Sequence, residues 1–561
     1  MNKWPSLFRN LLVFVISLLT PPKRGTVLVE TPNGILDGYN LISRAGRPYY
    51  AFSGVPYGQP PVGPLRFKDP LPARPWNGVR QAKENIKCVE FQFLLPYESM
   101  RFADGQEDCL ALSIYTHDLH PKVKKPVLFY IHGGSFELRV PPGSWQNPTY
   151  FMDHDIVVVL VSYRLSVLGF LSFEDETQPG NMGLKDQNLA LKWVHQNIEI
   201  FGGDPNKITL MGESAGGAST HFHSIMPKSR NMVHGAIMQS GFVNCPWAYD
   251  PPGEGRNKAI AFAQFTDCMR SNTEEILDCL RKKDAYYLVA MNERFRIWSD
   301  RDPLVTFKPV TEKDGPNAFI TGTPNDWAGP TVPVIAGFDD EDGLLKSALM
   351  LEDGYDFEQF NRNLPINLPN ALFFATNYTS DIPATLDKLL QYYFGDRRNF
   401  TRDDEKQFAQ FYSDLLFRYP LALSVGDMKN DLFLYINKFV SKNYYFVKDR
   451  VFHVQEILFQ WEVEATPNSI KPGEDLEFSK WITEAWANFV INGNPNNEER
   501  SQEWEKSSKS WDRLSFNILG NNGNKMAKGL FSDQFKFLRN SGANDRIQKK
   551  LKRIPKERNV V

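Results

Sequence analysis

A serine between two glycines is the first place in this sequence where residue type and spacing suggest catalysis. Gly212, Ser214 and Gly216 form a G-x-S-x-G motif. The apolar run 207–211 predicts a strand before it and the small residues after it predict a helix, so the serine lies on a sharp turn. Glycines on both sides let the backbone approach neighbours that a Cβ would meet. The motif predicts a nucleophilic serine, and a structural turn is the alternative for a motif this short.

A nucleophilic serine needs a general base. In folds built on this strand, turn and helix, the nucleophile is followed along the chain by an acid and then by a histidine. His221 and His223 lie on the helix that leaves Ser214, and His234 precedes a strand instead of following one. Only His453 lies downstream of a further strand. We therefore expect His453 to be the base, with an isolated surface histidine as the alternative.

The acid that orients the imidazole is expected between Ser214 and His453, where the chain has one cluster of carboxylates. Four consecutive carboxylates follow the predicted strand that ends at Ala336, namely Asp339, Asp340, Glu341 and Asp342. The position fits the expected order, but position alone does not choose among the four. A solvated acidic loop is the alternative interpretation.

Backbone N–H groups aimed at a developing negative charge complete such a site. The glycine-rich turn 132–136 directly follows the predicted strand 127–131, which is where an oxyanion hole is built in these folds. Ala215, the residue after the serine, supplies a further N–H group. The sequence thus offers a base, an acid and an oxyanion turn in the expected order around the serine, which favours serine-dependent acyl transfer over a chance match.

The elements that must position these residues follow an α/β rhythm. A helical pattern over 183–201 ends at Gly202. Apolar runs without polar alternation are typical of strands buried on both faces, and they cover 126–131, 156–161, 207–211, 235–238, 332–336 and 432–436. The alternation predicts a doubly wound α/β sheet. Residues 25–30 and 34–38 predict an antiparallel hairpin, 344–419 reads as a helical insertion, and 432–436 is the last predicted strand.

Composition narrows the class of protein. The chain has 561 residues, 42% of them hydrophobic, and a formal net charge of -2. It therefore lacks the broad positive charge that nucleic-acid binding requires. No linker composition interrupts residues 21–545, so we expect one large domain followed by a solvated basic tail at 546–561.

The N-terminus has the layout of a secretory signal over residues 1–20. Its apolar core, residues 11–19, is too short to span a bilayer, which needs about 20 residues. We expect a secreted protein without a stable membrane anchor, and an uncleaved anchor is the alternative.

The five cysteines fit an oxidising compartment. Cys88 and Cys109 bracket one loop and Cys268 and Cys279 bracket another, so two disulfides and a free Cys245 are the economical pairing. No C-x-x-C spacing suggests zinc or a redox centre, and we expect no metal or cofactor. Sequons predict N-glycosylation at Asn377 and Asn399.

Taken together, the motifs resemble the type-B carboxylesterase and cholinesterase family of α/β-hydrolases over nearly the whole mature length, and insect secreted esterases most. The resemblance lies in segments 54–57, 107–110, 132–136, 162–165, 180–187, 201–205, 212–217, 239–241, 486–489 and 493–495. It implies an α/β-hydrolase fold with a large, mostly parallel central sheet, flanking helices and helical insertions. It also implies hydrolysis of carboxylic esters through an acyl-enzyme, with a small-molecule ester as substrate.

The resemblance assigns roles residue by residue. Ser214 is the nucleophile, His453 is the base, and Asp342 takes the place of an acid that is usually glutamate, with Glu341 as its rival. The implied oxyanion donors are Gly134, Ser135 and Ala215. Ser135 stands where glycine is usual, which would narrow the acyl site.

The resemblance also implies that Phe136 and Trp247 line the substrate pocket, with Trp247 in the part that holds the acyl group. The loop between Cys88 and Cys109 contains no tryptophan, which argues against choline esters. Glu213 stands where juvenile hormone esterases typically have glutamine. A catalytically weak binding or adhesion relative of the same fold is the alternative function, although such relatives usually lose a triad residue.

Overall fold

The structure is a computed structural model that describes residues 24–94, 101–140, 146–296, 302–374, 381–443, 447–463, 470–497 and 504–543. The predicted signal at 1–20, the predicted basic tail at 546–561 and the sequon at Asn377 lie outside the described residues. Within the described ranges, no helix combines the length and apolarity needed to cross a bilayer.

Most of the described strands join one large mixed sheet. The 17 strands are β1 Arg24–Thr31, β2 Gly34–Ile42, β3 Pro48–Pro56, β4 Val79–Gln81, β5 Glu90–Phe91, β6 Ala103–Asp104, β7 Ala111–Thr116, β8 Lys125–Ile131, β9 Gln146–Asn147, β10 Val157–Val161, β11 Gly203–Glu213, β12 Gly235–Gln239, β13 Val334–Asp339, β14 Leu432–Asn437, β15 Glu462–Val463, β16 Ser515–Leu519 and β17 Lys525–Lys528. The main sheet has 13 strands in the order β1-β2-β3-β7-β10-β8-β11-β12-β13-β14-β16-β17, with β4 paired to β2.

The centre of the sheet is parallel. Parallel pairing runs without interruption through seven strands, in the order β10, β8, β11, β12, β13, β14 and β16. On the two sides of this block the pairs β1–β2, β2–β3, β3–β7, β7–β10 and β16–β17 are antiparallel. Successive residues of β8 enter different cores, with Val127 and Phe129 on one face and Leu128 and Tyr130 on the other. Burial on both faces explains why the central strands are continuously apolar.

Helices cover both faces of the sheet. They are α1 Ser166–Phe170, α2 Met182–Asn197, α3 Ala215–Ile225, α4 Glu254–Phe265, α5 Thr273–Arg281, α6 Ala285–Ala290, α7 Leu344–Ser347, α8 Phe357–Arg362, α9 Leu364–Ala371, α10 Ile382–Phe394, α11 Glu405–Ser413, α12 Tyr419–Val425, α13 Ile457–Gln460, α14 Glu474–Asn492 and α15 Ser532–Ser541. A π-helical segment, Asp414–Arg418, joins α11 to α12.

The predicted α/β fold with a large, mostly parallel sheet is confirmed, and each of the six predicted central strands has a counterpart in β8, β10, β11, β12, β13 and β14. The predicted hairpin at 25–38 is present as β1 and β2. The helical character of 344–419 is also confirmed for its described residues, which contain α7 to α11 and no strand.

One strand prediction is wrong. Residues 432–436 are not the last strand, because β16 pairs in parallel with β14 and β17 extends the edge beyond it. The sequence analysis also missed β3 and β7, which join the N-terminal hairpin to the central strands. Gly54 and Pro56 lie in β3 and are turn signals in a sequence, so the local pattern hid a strand that sheet pairing stabilises.

Candidate active site

Four chain segments meet at the carboxyl edge of the parallel strands. The glycine-rich turn follows β8, Ser214 follows β11, the acidic turn begins at the end of β13, and His453 lies on the connection that leaves β14. Parallel strands present their carboxyl ends at one edge of a sheet, which is where α/β folds build sites. The fold therefore collects all the residues that the sequence analysis singled out.

The backbone of Ser214 is in a conformation that few residues adopt. Its φ is 55° and its ψ is -122°, and its N–H donates to Gln239 O at 2.7 Å. A Cβ at Gly216 would lie 2.0 Å from Ile131 O, and one at Gly212 would lie 2.3 Å from Gly216 O. Both glycines are thus required by close backbone approach, which is the reason the sequence analysis anticipated. The turn holds the serine hydroxyl at the start of α3.

His453 is held by one carboxylate of the acidic run. Its Nδ1 lies 2.6 Å from Asp342 Oδ1, while Asp342 Oδ2 accepts a hydrogen bond from Ser240 Oγ at 2.9 Å. Asp342 is fully buried, and that burial raises the pKa of its carboxyl while His453 and Ser240 act in the opposite direction. The carboxylate in contact with the imidazole is Asp342.

Glu341, the rival acid, is engaged elsewhere. Arg450 Nε and Nη2 donate to its two oxygens at 2.7 and 2.8 Å, a bidentate pair that turns the carboxylate away from His453. Asp340 accepts from Lys438 at 3.0 Å at the surface. Two of the four carboxylates are therefore structural ion-pair partners.

Asp339, the first residue of the acidic run, forms a buried pair of carboxyls with Glu456, which the sequence analysis did not identify. Asp339 accepts from Asn437 Nδ2 at 2.6 Å and from Gln455 N at 3.1 Å. Burial and the neighbouring Glu456 raise the pKa of Asp339 well above its usual range. Glu456 Oε1 accepts from Gln239 Nε2 at 3.1 Å, and Gln239 O in turn binds the Ser214 N–H. The pair thus connects the histidine segment to the serine turn.

Ser214 and His453 line the same narrow cavity, although no hydrogen bond joins them within the described structure. Such contacts are commonly long in an unliganded enzyme and shorten when substrate binds. The Ser214 residue is 9% exposed and His453 is 5% exposed, so both reach the cavity from an otherwise buried position.

In the glycine-rich turn, the N–H groups of Gly134 and Ser135 are among those that have no acceptor in the described structure. Gly134 has a φ of 114°, and a Cβ there would lie 1.9 Å from Leu138 O. Ser135 has a φ of 60°, which is costly for a residue with a Cβ. The Gly133 N–H is already used, because it donates to Glu213 Oε1 at 2.6 Å.

The Glu213 carboxyl fastens the glycine-rich turn to the serine turn, a role that the sequence analysis missed. Its Oε1 binds the Gly133 N–H and its Oε2 accepts from Tyr130 Oη at 2.7 Å. Burial raises the pKa of Glu213 to about 8, although both hydrogen bonds act in the opposite direction. Glu213 is the last residue of β11 and directly precedes Ser214 in the sequence. This adjacency was the only sign of its role that the sequence offered.

Trp247, but not Phe136, is among the residues that line the cavity beside Ser214. The Phe136 ring packs against Phe170 instead, and Trp247 Nε1 donates to Leu416 O at 3.0 Å. The cavity is about 10 Å³, room for about one water molecule. Its lining consists of Ser135, Ser214, Trp247, Leu304, Val305, Leu345, Lys346, Phe373, Leu416, Phe417 and His453.

The cysteines are arranged as the sequence analysis expected. Cys88 is bonded to Cys109 and Cys268 to Cys279, while Cys245 is a buried free thiol whose pKa is raised by burial. Asn399 of the second sequon is exposed. Within the described ranges, no group of three or more His, Cys, Asp and Glu residues is arranged to hold a metal ion.

Comparison with known proteins places this geometry in context. A family model described as the carboxylesterase family matches residues 25–538. The chain is similar to juvenile hormone esterase of Tribolium castaneum, with 32% identity covering 83% of this chain and 84% of that protein. It is also similar to esterase FE4 of Myzus persicae, with 33% identity over 89% and 90%, and to acylcarnitine hydrolase of Mus musculus, with 31% identity over 80% of each.

Glu213→Gln should keep most of the turnover at pH 7. With a pKa of about 8 the carboxyl is mostly protonated there, so one oxygen accepts from the Gly133 N–H and the protonated one can donate to the Tyr130 hydroxyl, and the carbonyl and NH₂ groups of a glutamine reproduce that pair. Because the folded-state pKa is raised above the ordinary value, its stabilising contribution is present at low pH and is lost as pH rises through about 8. Melting temperatures from pH 5 to 9.5 should therefore fall more steeply for the wild type than for Glu213→Gln.

Glu213→Ala is the contrasting variant for that experiment. It leaves the Gly133 N–H and the Tyr130 hydroxyl without their partner, which should cost about 1–3 kcal/mol of stability and lower turnover. Parallel melting curves for wild type and Glu213→Gln, or equal turnover of the two variants, would contradict the role assigned to this carboxyl.

Ser135→Gly should broaden acyl selectivity. The substitution keeps the N–H, removes a side chain from the cavity wall and relieves a left-handed conformation worth about 1–2 kcal/mol. We expect kcat/KM to rise more for p-nitrophenyl hexanoate than for p-nitrophenyl acetate, which serves as the internal control. An equal change for the two esters would show that the Ser135 side chain does not limit the acyl site.

Proposed function

The chain belongs to the carboxylesterase family and is a carboxylic ester hydrolase, and from its site geometry we propose that Ser214, His453 and Asp342 are the catalytic triad. The observation that carries the proposal is the 2.6 Å contact between His453 Nδ1 and the buried Asp342 carboxylate, on the cavity that Ser214 lines. Asp342 fixes the tautomer in which Nδ1 carries the proton and Nε2 is free to accept one.

In the first half of the reaction Ser214 Oγ attacks the ester carbonyl and its proton passes to His453 Nε2. The carbonyl oxygen becomes an oxyanion, which the N–H groups of Gly134, Ser135 and Ala215 stabilise. The tetrahedral intermediate then collapses, the C–O bond to the alcohol breaks, and His453 donates its proton to the leaving oxygen. Ser214 is left as an acyl ester.

In the second half a water molecule attacks the acyl ester, and His453 takes its proton as a general base. The same N–H groups hold the second oxyanion. Collapse releases the carboxylic acid and returns the proton to Ser214. Asp342 remains ionised throughout and stabilises the imidazolium that forms twice in each cycle.

Two groups support this chemistry without contact with the substrate. Glu213 holds the glycine-rich turn through the Gly133 N–H, and Ser240 donates to the second oxygen of Asp342. Glu213 thus occupies the Gly133 N–H, and Ser240 occupies the Asp342 oxygen that does not face His453, so neither group is free to form a competing hydrogen bond. The names of the relatives point to different esters, and in this proposal the residues that line the cavity select the substrate.

We also propose that the protein passes through the secretory pathway. The two disulfides, Cys88–Cys109 and Cys268–Cys279, support export to an oxidising compartment. The exposed Asn399 offers an acceptor for N-glycosylation.

The triad is tested by comparing Asp342→Asn with Glu341→Gln. Asp342→Asn should lower kcat by about 10³–10⁴-fold, because the imidazole loses its partner and its tautomer. Glu341→Gln only weakens a partly exposed ion pair with Arg450, which is worth about 1 kcal/mol or less, so turnover should stay within a few fold.

The nucleophile is tested by organophosphate labelling and peptide mass mapping. We expect the label on the peptide that contains Ser214, and neither label nor turnover in Ser214→Ala. Label on another residue would refute the assignment, and absence of turnover on short aryl esters would favour a binding or adhesion role.

Export is tested by expressing the full chain in insect cells and comparing the medium with the cell pellet. We expect the protein in the medium, with a mass that falls on treatment with peptide-N-glycosidase. Asn399→Gln should remove part of that mass difference. A protein retained in cells and insensitive to the glycosidase would contradict the proposal.

A further inference from the structure

A buried lysine is among the residues that line the cavity beside Ser214. Among the residues that line this cavity, the polar side chains are Ser135, Ser214, His453 and Lys346, and the rest are apolar or aromatic. The triad and oxyanion assignments account for the first three. Lys346 is the polar group that the reaction leaves unexplained, and its side chain is only 5% exposed.

Lys346 is held rigidly relative to the triad. It lies in α7, one helical turn after Asp342, and its N–H donates to Gly343 O at 3.0 Å. Gly343 is pressed against α11, because its N–H donates to Ser413 Oγ at 2.8 Å and a Cβ there would lie 2.2 Å from Ala409 O. The turn that positions Asp342 therefore also positions the lysine.

The ammonium has more donors than acceptors around it. Its Nζ forms an ion pair with Asp302, whose side chain is 9% exposed, and faces the rings of Phe373 and Tyr412 at 5.5 and 5.9 Å. An ammonium carries three N–H donors, and Asp302 is its hydrogen-bond acceptor in the described structure. Two of the three donors therefore have no hydrogen-bond acceptor in the part of the chain that the structure describes.

A second small cavity shows the same surplus of donors. Asp302, Lys346, Asn367 and Tyr412 are among its lining residues, so Lys346 separates it from the cavity beside Ser214. Asn367 is buried, and its Nδ2 has no hydrogen-bond acceptor. A ligand in the cavity beside Ser214 that brings an oxygen to Lys346 would give an acceptor to a donor that the protein leaves unpaired.

We propose that Lys346 determines substrate specificity by binding an uncharged acceptor oxygen on the acyl chain of the ester, such as a ketone or ether oxygen. The proposal deepens the proposed function and rests on it, because it takes Ser214 as the acyl-forming residue. The acyl chain is the relevant part since Trp247, the predicted acyl-pocket residue, lines the same cavity.

The charges favour an uncharged group. Asp302 already neutralises Lys346, and a carboxylate on the substrate would add an uncompensated negative charge at a buried position. A plain alkyl chain would instead lie against the ammonium without offering it a hydrogen-bond acceptor. Lys308, whose Nζ lies 4.4 Å from the centroid of the same Phe373 ring, is likewise paired with a carboxylate, that of Asp250.

The test compares p-nitrophenyl esters of matched length. The pairs are pentanoate with 4-oxopentanoate and hexanoate with 5-oxohexanoate, and the p-nitrophenyl monoester of glutaric acid adds the charged case. The kcat/KM for each ester is divided by the value for the same ester with an unrelated esterase, which corrects for differences in the intrinsic reactivity of the esters. A hydrogen bond to a charged donor predicts a preference of roughly tenfold in kcat/KM for at least one oxo ester, with the glutarate monoester below it.

Lys346→Met should bring the ratio of oxo to alkyl ester to about one. Since that change leaves Asp302 buried and unpaired, the double variant Lys346→Met with Asp302→Leu is measured beside it, and organophosphate titration counts the active sites in each preparation. Lys313→Met, in an exposed pair with Glu176, is the matched lysine control and should keep the wild-type ratio.

Each outcome decides the inference. No oxo preference in a wild type that hydrolyses alkyl esters normally would overturn it and leave the proposed function intact. A preference that persists in the double variant, or a faster reaction with the glutarate monoester than with both oxo esters, would also overturn it. Failure of the wild type on every ester would refute the proposed function itself.

Discussion

The close approach of the turn after β11 to the end of β8 is the constraint on which the site depends. Gly212 pairs with Ile131 in the sheet, and Gly216 passes so near the Ile131 carbonyl that a Cβ would lie 2.0 Å from it. Because the glycine-rich turn starts one residue after Ile131, this contact places the N–H donors beside the serine. Parallel pairing of two central strands thus sets the positions of both the proposed nucleophile and the N–H groups proposed to stabilise the oxyanion.

Around this contact the protein buries four carboxyl groups, those of Glu213, Asp339, Asp342 and Glu456. Burial disfavours the ionised form and raises the pKa values of Glu213, Asp339 and Asp342. Only Asp342 contacts the imidazole; the others hold backbone or amide groups of neighbouring segments. The cost of burying them is offset by hydrogen bonds that fix the relative positions of segments distant in the chain.

The helical insertion between β13 and β14 contributes much of the wall of the cavity beside Ser214. The first part of the insertion contributes Leu345, Lys346 and Phe373 to the cavity lining, and the π-helical segment contributes Leu416 and Phe417. The ring centroids of Phe417 and His453 lie 4.8 Å apart. The parallel sheet supplies the reacting groups, while this insertion supplies much of the surface that an acyl chain meets. Variation in the insertion can therefore change substrate preference without disturbing the triad.

The sequence by itself determined the parts of this protein that local pattern encodes. Continuous apolar runs predicted the central strands because both their faces are buried, and the glycines around Ser214 reflected a backbone contact that excludes a Cβ. His453 was found by elimination. Only tertiary structure shows which carboxylate of the acidic run contacts His453, since Glu341 is paired with Arg450, 109 residues later, and Asp342 is oriented by Ser240. It also decided the strands β3, β7 and β16 and the pairing of Lys346 with Asp302, because those depend on which distant segment lies alongside, and no local spacing records that.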